Sequence, residues 1–288
     1  MPALSFTGDR QLRFPAPDVA RGFMLALIAL ANVPWWLKYF PDYPANRSEL
    51  LQVMNAADQW WFIVRSLFVD RRAYPLFSIL FGFGMAIMAM RTMERERRAA
   101  REAVSSEVSA GWAPVQHQIF DEEVERRARR AASRLIRRRG WWMLAFGALH
   151  GMVFAGDIIG AYGLVAVIFA EVVVSGRAWL LSLIGALFMA VFVLSMWGIA
   201  IAAGSGSMTL GSRPRGALHP LFPLISLGEW IIVTPMTLLM SLVVPSVMIG
   251  VGVARLGLLQ DPPGHRAILG AIAAGGLTVG AAGGIPFA

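Results

Sequence analysis

Residues 178–203 read AWLLSLIGALFMAVFVLSMWGIAIAA and contain no charged side chain. A helix needs about 20 consecutive apolar residues to cross the hydrocarbon core of a membrane, and this run meets that length. The whole chain has the same bias, because 57% of its 288 residues are hydrophobic and only 15% are charged, whereas soluble domains have roughly 45–50% and 25%. One soluble core of this size could not bury that surplus, so the sequence predicts a protein solvated by lipid.

Further apolar runs on both sides of this stretch predict additional spans. We interpret the chain as an all-α, polytopic transmembrane helix bundle of about seven spans, forming a single transmembrane domain over residues 1–288. A shorter apolar stretch, Trp60–Phe68, cannot cross on its own and is interpreted as an interfacial or re-entrant helix. The other predicted spans are Val19–Phe40, Ala73–Met90, Trp141–Ala155, Ile158–Val174, Leu224–Val253 with kinks at Pro235 and Pro245, and a last run from Ala267 to the C-terminus.

Residues 91–139 are the one strongly charged stretch, an Arg-rich insertion between the second and third predicted spans. Acidic and basic residues alternate in it at helical spacing, which predicts two helical arms joined near Gly111 and Pro114. The net charge of +8 is carried almost entirely by arginines that cluster between apolar runs. We therefore expect no nucleic acid partner, and we expect these arginine clusters to contact the anionic headgroups of membrane lipids.

The arginines also predict the orientation of the bundle, since cytoplasmic loops of membrane proteins are enriched in Arg and Lys. With a cytoplasmic N-terminus, the clusters around Arg21, Arg91, Arg177 and Arg255 all fall on the cytoplasmic side. The Arg-rich insertion is then a cytoplasmic helical loop. The tight turn at residues 156–157 lies on the outer side.

Ionisable side chains at membrane depth are costly, at about 2.5–3.5 kcal/mol each, so they are the first candidates for function. His150 lies in the third predicted span, and Asp157 follows seven residues later. That is two helical turns, so both point the same way if the helix continues. Imidazole exchanges protons near neutral pH, and a neighbouring carboxylate raises its basicity. We predict His150 and Asp157 as a catalytic pair; the alternative is a neutral histidine that only hydrogen-bonds between helices.

Polar residues in the first two spans are candidates for substrate binding. Asp18 and Arg21 are three residues apart and share one helix face, so they form either an ion pair that anchors the helix or a site that grips phosphate or carboxylate. Asp70 and Ser78 flank the start of the second span, where small residues also favour close helix packing. The predicted substrate-binding set is Asp18, Arg21, Asn32, Asp70 and Ser78. No metal site is predicted, because the chain has no cysteine and no metal-binding histidine motif.

Several short blocks combine charged or glycine residues with apolar ones. They are DVARG at 18–22 with Asn32, Asp70 with YPLFSILFGFG at 74–84, RRR at 137–139 with FGALHG at 146–151, GDIIGAY at 156–162, IGVG at 249–252 and RLGLL at 255–259. In this order they resemble the YeiB-like family, bacterial inner-membrane proteins with a domain of unknown function. The resemblance covers most of the chain. It implies a location in the bacterial inner (plasma) membrane and further spans after the last run.

The YeiB-like family looks distantly similar to membrane acyltransferases, which move an acyl group from a cytoplasmic thioester onto a glycan or a small molecule. This similarity implies acyl-CoA as the donor, with its phosphates held by arginines, and no required cofactor. His150 would be the general base and Asp157 would tune it, while Arg21 or Asn32 would orient the donor or stabilise the oxyanion. Two alternatives stay open: a transporter- or permease-like bundle in which the same residues line a polar or proton pathway, and a non-catalytic membrane protein.

Overall fold

A computed structural model of the protein describes residues 16–37, 47–69, 72–104, 106–154, 156–204, 220–258 and 262–282. Within these ranges every regular element is a helix, which confirms the predicted all-α class. The helices are α1 (Ala16–Leu37), α2 (Arg47–Val53), α3 (Ala56–Phe68), α4 (Ala73–Glu102), α5 (Ser106–Ala110), α6 (Pro114–Gly151), α7 (Ile159–Ile168), α8 (Ala170–Ser175), α9 (Ala178–Gly204), α10 (Phe222–Met240), α11 (Val243–Leu256) and α12 (Arg266–Ala282), the last preceded by a 3-10 turn at Pro263–His265.

Three of the described helices, α4, α9 and α10, are long and apolar enough to cross a membrane, and α7 and α11 are apolar but shorter. These three helices are candidate membrane spans by length and composition, and the number of seven spans stays a prediction. The fourth predicted span, Ile158–Val174, is divided at Phe169 into α7 and α8. On α9, apolar side chains such as Leu183 and Leu187 are more than half exposed. A large exposed apolar surface of this kind contacts lipid or protein rather than water.

The sixth predicted span, Leu224–Val253, is not one kinked helix, and that prediction was wrong. The chain leaves helical conformation at Ser241, whose backbone is extended (φ −136°, ψ 170°), and α11 begins after this break. Pro245 explains the break, because it has no N–H to donate to the carbonyl of Ser241 and its ring would collide with that carbonyl in a continuous helix. In α11 the proline instead lies in the first turn, where its N–H is not needed. Pro235, by contrast, lies inside α10.

The Arg-rich insertion is helical, as predicted, but its arms are continuous with the neighbouring helices. α4 runs from the second predicted span into the first arm as far as Glu102, and α6 runs from Pro114 through the second arm into the third span. No proline interrupts either helix beyond its first turn, and ion pairs at a spacing of four residues support both. An ion pair of 2.6 Å between Arg97 and Glu125 joins the two arms.

Glycines form the closest helix crossings. A Cβ atom at Gly82 of α4 would collide with the main chain of α11, and one at Gly250 of α11 would collide with the main chain of α4. Gly140 and Gly163 allow the same close approach between α6 and α7. Lipid supplies no hydrophobic force between helices, so backbone approach through small residues is a main source of packing energy in a membrane.

The two ends of the bundle differ in chemistry. The hydroxyl of Tyr162, near the start of α7, donates to the carbonyl of Tyr74 at the start of α4 (3.3 Å), so these helix starts lie together with the end of α6. The opposite end carries the charged arms and Arg255, which donates to the carbonyls of Val173 (3.0 Å) and Val174 (2.8 Å) in α8. The charged arms and Arg255 thus lie at the end opposite the 156–157 turn, and the end that faces the cytoplasm stays a prediction.

The contact between α4 and α11 can be tested with two glycines of the same helix. We expect Gly250→Ala to lower the free energy of unfolding by about 1–3 kcal/mol, because the added methyl group overpacks the crossing. Gly252→Ala is the matched control, since no atom lies within 4 Å of a Cβ there. It should be neutral or stabilise α11 by about 0.5–1 kcal/mol. Unfolding followed by circular dichroism in detergent measures both, and equal effects would contradict the crossing.

The ion pair between the arms predicts a sensitivity to acid. Partial burial disfavours the charged form of Glu125, but hydrogen bonds from Arg129 and Arg97 outweigh it and lower its pKa below the ordinary value of 4.5. A carboxyl group with a lowered pKa stabilises the folded state above its unfolded pKa, and this contribution is lost as the pH falls through the folded pKa. Amide hydrogen exchange in the arms should therefore be slow at pH values above 4.5 and should accelerate in more acidic buffer, after correction for the intrinsic exchange rate.

Two variants test the assignment of this effect. Glu125→Gln should show fast exchange in the arms already at neutral pH. Glu122→Gln removes a carboxylate of the same helix that accepts from Gln118 within α6 (3.0 Å), so its exchange should match the unmodified chain. Identical exchange in the two variants would contradict the role of the Arg97–Glu125 ion pair.

Candidate functional site

Asp157 is the centre of the candidate site. The chain leaves α6 at Gly151, turns, and enters α7 at Ile159, two residues after Asp157, whose side chain is 0% exposed. The carboxylate accepts hydrogen bonds from the backbone N–H groups of Ile159 (3.1 Å) and Gly160 (2.7 Å). These are N–H groups that the first turn of a helix leaves without partners, so Asp157 caps α7.

Two side chains from other helices complete the environment of Asp157. Nδ1 of His150, in the last turn of α6, lies 2.8 Å from Oδ1, and Nε1 of Trp230, in α10, donates to Oδ2 at 3.0 Å. The carboxylate thus has four hydrogen-bond partners. A buried carboxylate in an apolar surrounding needs such partners, because desolvation otherwise costs several kcal/mol.

The geometry fixes the roles of the two nitrogens of His150. A carboxylate accepts hydrogen bonds, so Nδ1 carries the proton in the contact with Asp157 and Nε2 is the acceptor in the neutral ring. The side chain is 46% exposed, and the ring of Phe154 lies 5.8 Å from it. His150 therefore combines an oriented ring with access from outside the bundle, as a general base requires.

Glycines around Asp157 make room for the indole of Trp230. A Cβ atom at Gly151 or at Gly160 would collide with that ring, and one at Gly147 would lie 2.8 Å from Oδ2 of Asp157. Thus α6, α7 and α10 meet at the carboxylate, and the glycines at this contact leave no space for a larger side chain. Ser226, one turn before Trp230, adds a hydrogen bond to the carbonyl of Gly151 (2.7 Å).

A second polar network links α1, α4 and α7 at the same end of the bundle. The hydroxyl of Tyr74 donates to Oδ1 of Asn32 (2.7 Å), while the hydroxyl of Ser78 donates to the carbonyl of Tyr74 (2.8 Å) and lies 2.9 Å from that of Tyr162. Ser78 and Tyr162 are fully buried. Asn32 and Ser78, both predicted to bind substrate, are thus brought together, and their hydrogen bonds hold helices to one another.

Asp18 and Arg21 form an ion pair of 2.7 Å, and the guanidinium lies against Gly84 of α4. Asn32, by contrast, lies beside Tyr74. Ten residues of α4 separate the two contact points, or about 15 Å along a helix. The structure therefore brings Arg21 together with Asp18 but keeps this pair apart from Asn32.

Asp70 lies outside the described residues. Among the residues that the structure does describe, no three His, Cys, Asp or Glu side chains are grouped so that they could hold a metal ion.

A cavity of about 460 Å³ opens between α4, α9, α10 and the start of α11. Tyr74 and Asp157 contribute to its wall, and Thr237 and Ser241 add hydroxyl groups from the end of α10. Apolar side chains such as Phe192 form the rest. The cavity therefore adjoins both polar networks and the break between α10 and α11.

Trp230 and Tyr74 received no role from the sequence. Trp230 lies 73 residues from Asp157 along the chain in an apolar run, where an interfacial tryptophan is the ordinary expectation. An indirect sign of this contact was present in the sequence, because Gly147, Gly151 and Gly160 flank His150 and Asp157. Such a group of glycines indicates that a large side chain or a backbone approaches closely.

Comparisons of the chain with protein-family models, with curated proteins and with solved structures gave no significant match. The resemblance to the YeiB-like family therefore stays a prediction, and the function is argued from the geometry of the site.

Variants of Asp157 and Trp230 should separate the cap from the indole contact. We expect Asp157→Ala to lower the free energy of unfolding by at least about 3 kcal/mol, because several donors lose their acceptor inside the bundle. Trp230→Phe keeps most of the ring against the glycines and removes one donor, so a loss of about 1 kcal/mol is expected. Unfolding in mixed detergent micelles measures both values. A cost for Asp157→Ala no larger than that for Trp230→Phe would contradict the four-partner site.

Proposed function

We propose that this chain is a membrane-embedded acyltransferase that uses His150 as a general base and Asp157 to orient it. One observation carries the proposal: the half-exposed imidazole of His150 is fixed through Nδ1 by a fully buried carboxylate at 2.8 Å. A histidine held in this way presents Nε2 as a base of defined direction, which is the arrangement that acyl transfer uses on unrelated folds.

The proposed reaction needs one proton shuttle. Nε2 of His150 takes the proton from a hydroxyl group of the acceptor while that oxygen attacks the acyl carbonyl carbon of the thioester. Asp157 stabilises the imidazolium that forms, through the hydrogen bond to Nδ1. When the tetrahedral intermediate collapses, the carbon–sulfur bond breaks and Nε2 returns the proton to the thiolate. The products are an ester and a free thiol.

The position of His150 divides the proposed site between the two ends of the bundle. His150 lies eleven residues beyond Arg139 on α6, or about 16 Å along the helix. With the arginines in the cytoplasm, they hold the phosphates of acyl-CoA on that side, and the acyl group reaches His150 within the membrane. The acceptor, a glycan or small-molecule hydroxyl, then enters from the outer end.

A transporter is the second candidate, and the break between α10 and α11 favours it. Irregular backbone at membrane depth is tolerated where it lines a cavity, and discontinuous helices form the substrate sites of many transporters. Here the break at Ser241 lies in the wall of the cavity beside Tyr74 and Asp157. In this alternative the cavity holds the transported molecule and no covalent product forms.

The variant His150→Gln distinguishes the acyltransferase from the transporter, because it abolishes thioester consumption in the first case and flux in the second. We expect this variant to lower thioester consumption at least about 100-fold, since general base catalysis contributes that much or more. The assay incubates purified protein with labelled acyl-CoA and a pool of membrane glycans and follows both labelled product and free thiol.

His117→Gln is the matched control, because His117 is an exposed histidine at the start of α6, 3.3 Å from the carbonyl of Ala113. Its activity should equal that of the unmodified chain. No consumption of thioester that depends on His150, together with vesicle flux that does, would overturn the enzyme in favour of the transporter.

A further inference from the structure

Two arginines from two helices share one carboxylate at the Arg-rich end of the bundle, and a third arginine lies near them. Arg97 of α4 donates to Oε2 of Glu125 through Nε (2.9 Å) and Nη2 (2.6 Å), and Arg129 of α6 donates to Oε1 through Nε (2.7 Å). Arg255, at the end of α11, lies close enough to both for their like charges to interact. This group of side chains thus carries three positive charges and one negative charge.

Arg255 is held in this cluster by backbone carbonyls rather than by an acid. It donates through Nη2 to Val173 and Val174. Gly176, with a φ of +56°, lies against the guanidinium at a distance that leaves no space for a Cβ atom. Nε of Arg255 is buried and has no hydrogen-bond partner among the residues that the structure describes. A buried charged donor without an acceptor is costly, so protein groups satisfy this guanidinium only in part.

The cluster lies where the apolar helices end. α11 is apolar up to Arg255, and α4 is apolar up to Arg91, less than two turns before Arg97. Helices that end at the membrane surface reach the depth of the lipid headgroups at this point. Phosphate is the anion found at that depth. A guanidinium matches phosphate through two parallel hydrogen bonds, and basic pockets between helices on the cytoplasmic side bind such headgroups.

We propose that Arg97, Arg129 and Arg255 form a binding site for a phosphate group, supplied by an anionic phospholipid or by a soluble phosphate ester. Glu125 holds Arg97 and Arg129 in position, and the bound phosphate neutralises the remaining positive charge. Arg129 uses Nε for Glu125, and its side chain is half exposed, so we assign its terminal nitrogens to the ligand. A lipid headgroup bound here would be separate from acyl transfer, because His150 lies at the opposite end of the bundle. Bound coenzyme A would instead make this the donor-binding part of the proposed acyltransferase, and only in that case does the inference rest on the proposed function.

The test compares Arg129→Gln with Arg127→Gln in the full chain. Both variants remove one positive charge from α6, but Arg127 is paired with Glu123 (2.8 Å) and is 72% exposed. Native mass spectrometry of nanodiscs made from phosphatidylcholine and increasing phosphatidylglycerol measures headgroup binding. Calorimetric titration with coenzyme A measures binding of a soluble phosphate ester. We expect Arg129→Gln to weaken binding of one probe about tenfold and Arg127→Gln to weaken neither more than about twofold.

Each result decides the proposal. A loss confined to phosphatidylglycerol assigns the site to lipid, and a loss confined to coenzyme A assigns it to a soluble ester. Equal weakening by Arg129→Gln and Arg127→Gln, or unchanged binding of both probes in Arg129→Gln, overturns it. Arg129→Lys keeps the charge but loses the paired hydrogen bonds, so it also tests the site if Arg129→Gln does not fold. Binding by Arg129→Lys equal to that of the unmodified chain would likewise contradict the proposal.

Discussion

The structure depends on one buried carboxylate that must find four hydrogen-bond donors. In a soluble protein, water would satisfy whatever Asp157 lacked, but the apolar surroundings of these helices offer no such substitute. The donors therefore come from the first turn of α7, from the last turn of α6 and from α10. These hydrogen bonds fix the positions of α6, α7 and α10 relative to one another. The contacts that stabilise the buried carboxylate therefore also determine how this end of the bundle packs.

Glycine contacts allow the helices to come near enough for these hydrogen bonds. Van der Waals packing replaces the hydrophobic effect as the force between helices in lipid, and it acts only where backbones approach closely. Gly147 and Gly160 bring α6 and α7 together beside Asp157, and the same pair of helices meets again at Gly140 and Gly163. The crossing of α4 and α11 follows the same rule, with Gly82 and Gly250 at the points of contact. The hydrogen bonds of the buried carboxylate thus depend on the close helix packing that the glycines allow.

The sequence predicted the His150–Asp157 contact, but for a reason that the structure replaces. The seven-residue spacing suggested one continuous helix with both side chains on one face. In fact α6 ends at Gly151, and Asp157 returns to His150 from the cap of the next helix. Long apolar runs located most helices, since lipid selects for length and hydropathy. The contact of Trp230 with Asp157 could not be predicted, because the two residues are distant in sequence. The break at Ser241 could not be predicted either, because a proline such as Pro245 can kink a helix or begin one.

His150 and Asp157 differ in how much each contributes to the fold, and this difference decides which variant can test the proposed reaction. Asp157 caps α7 and accepts hydrogen bonds from three helices, so any change there alters the stability of the fold together with the proposed catalysis. His150 is half exposed and supplies one donor of four, and its removal leaves the cap and the indole contact in place. In the proposed acyl transfer, the half-exposed imidazole of His150 supplies the second ring nitrogen, Nε2, as the base, while Nδ1 stays bound to Asp157.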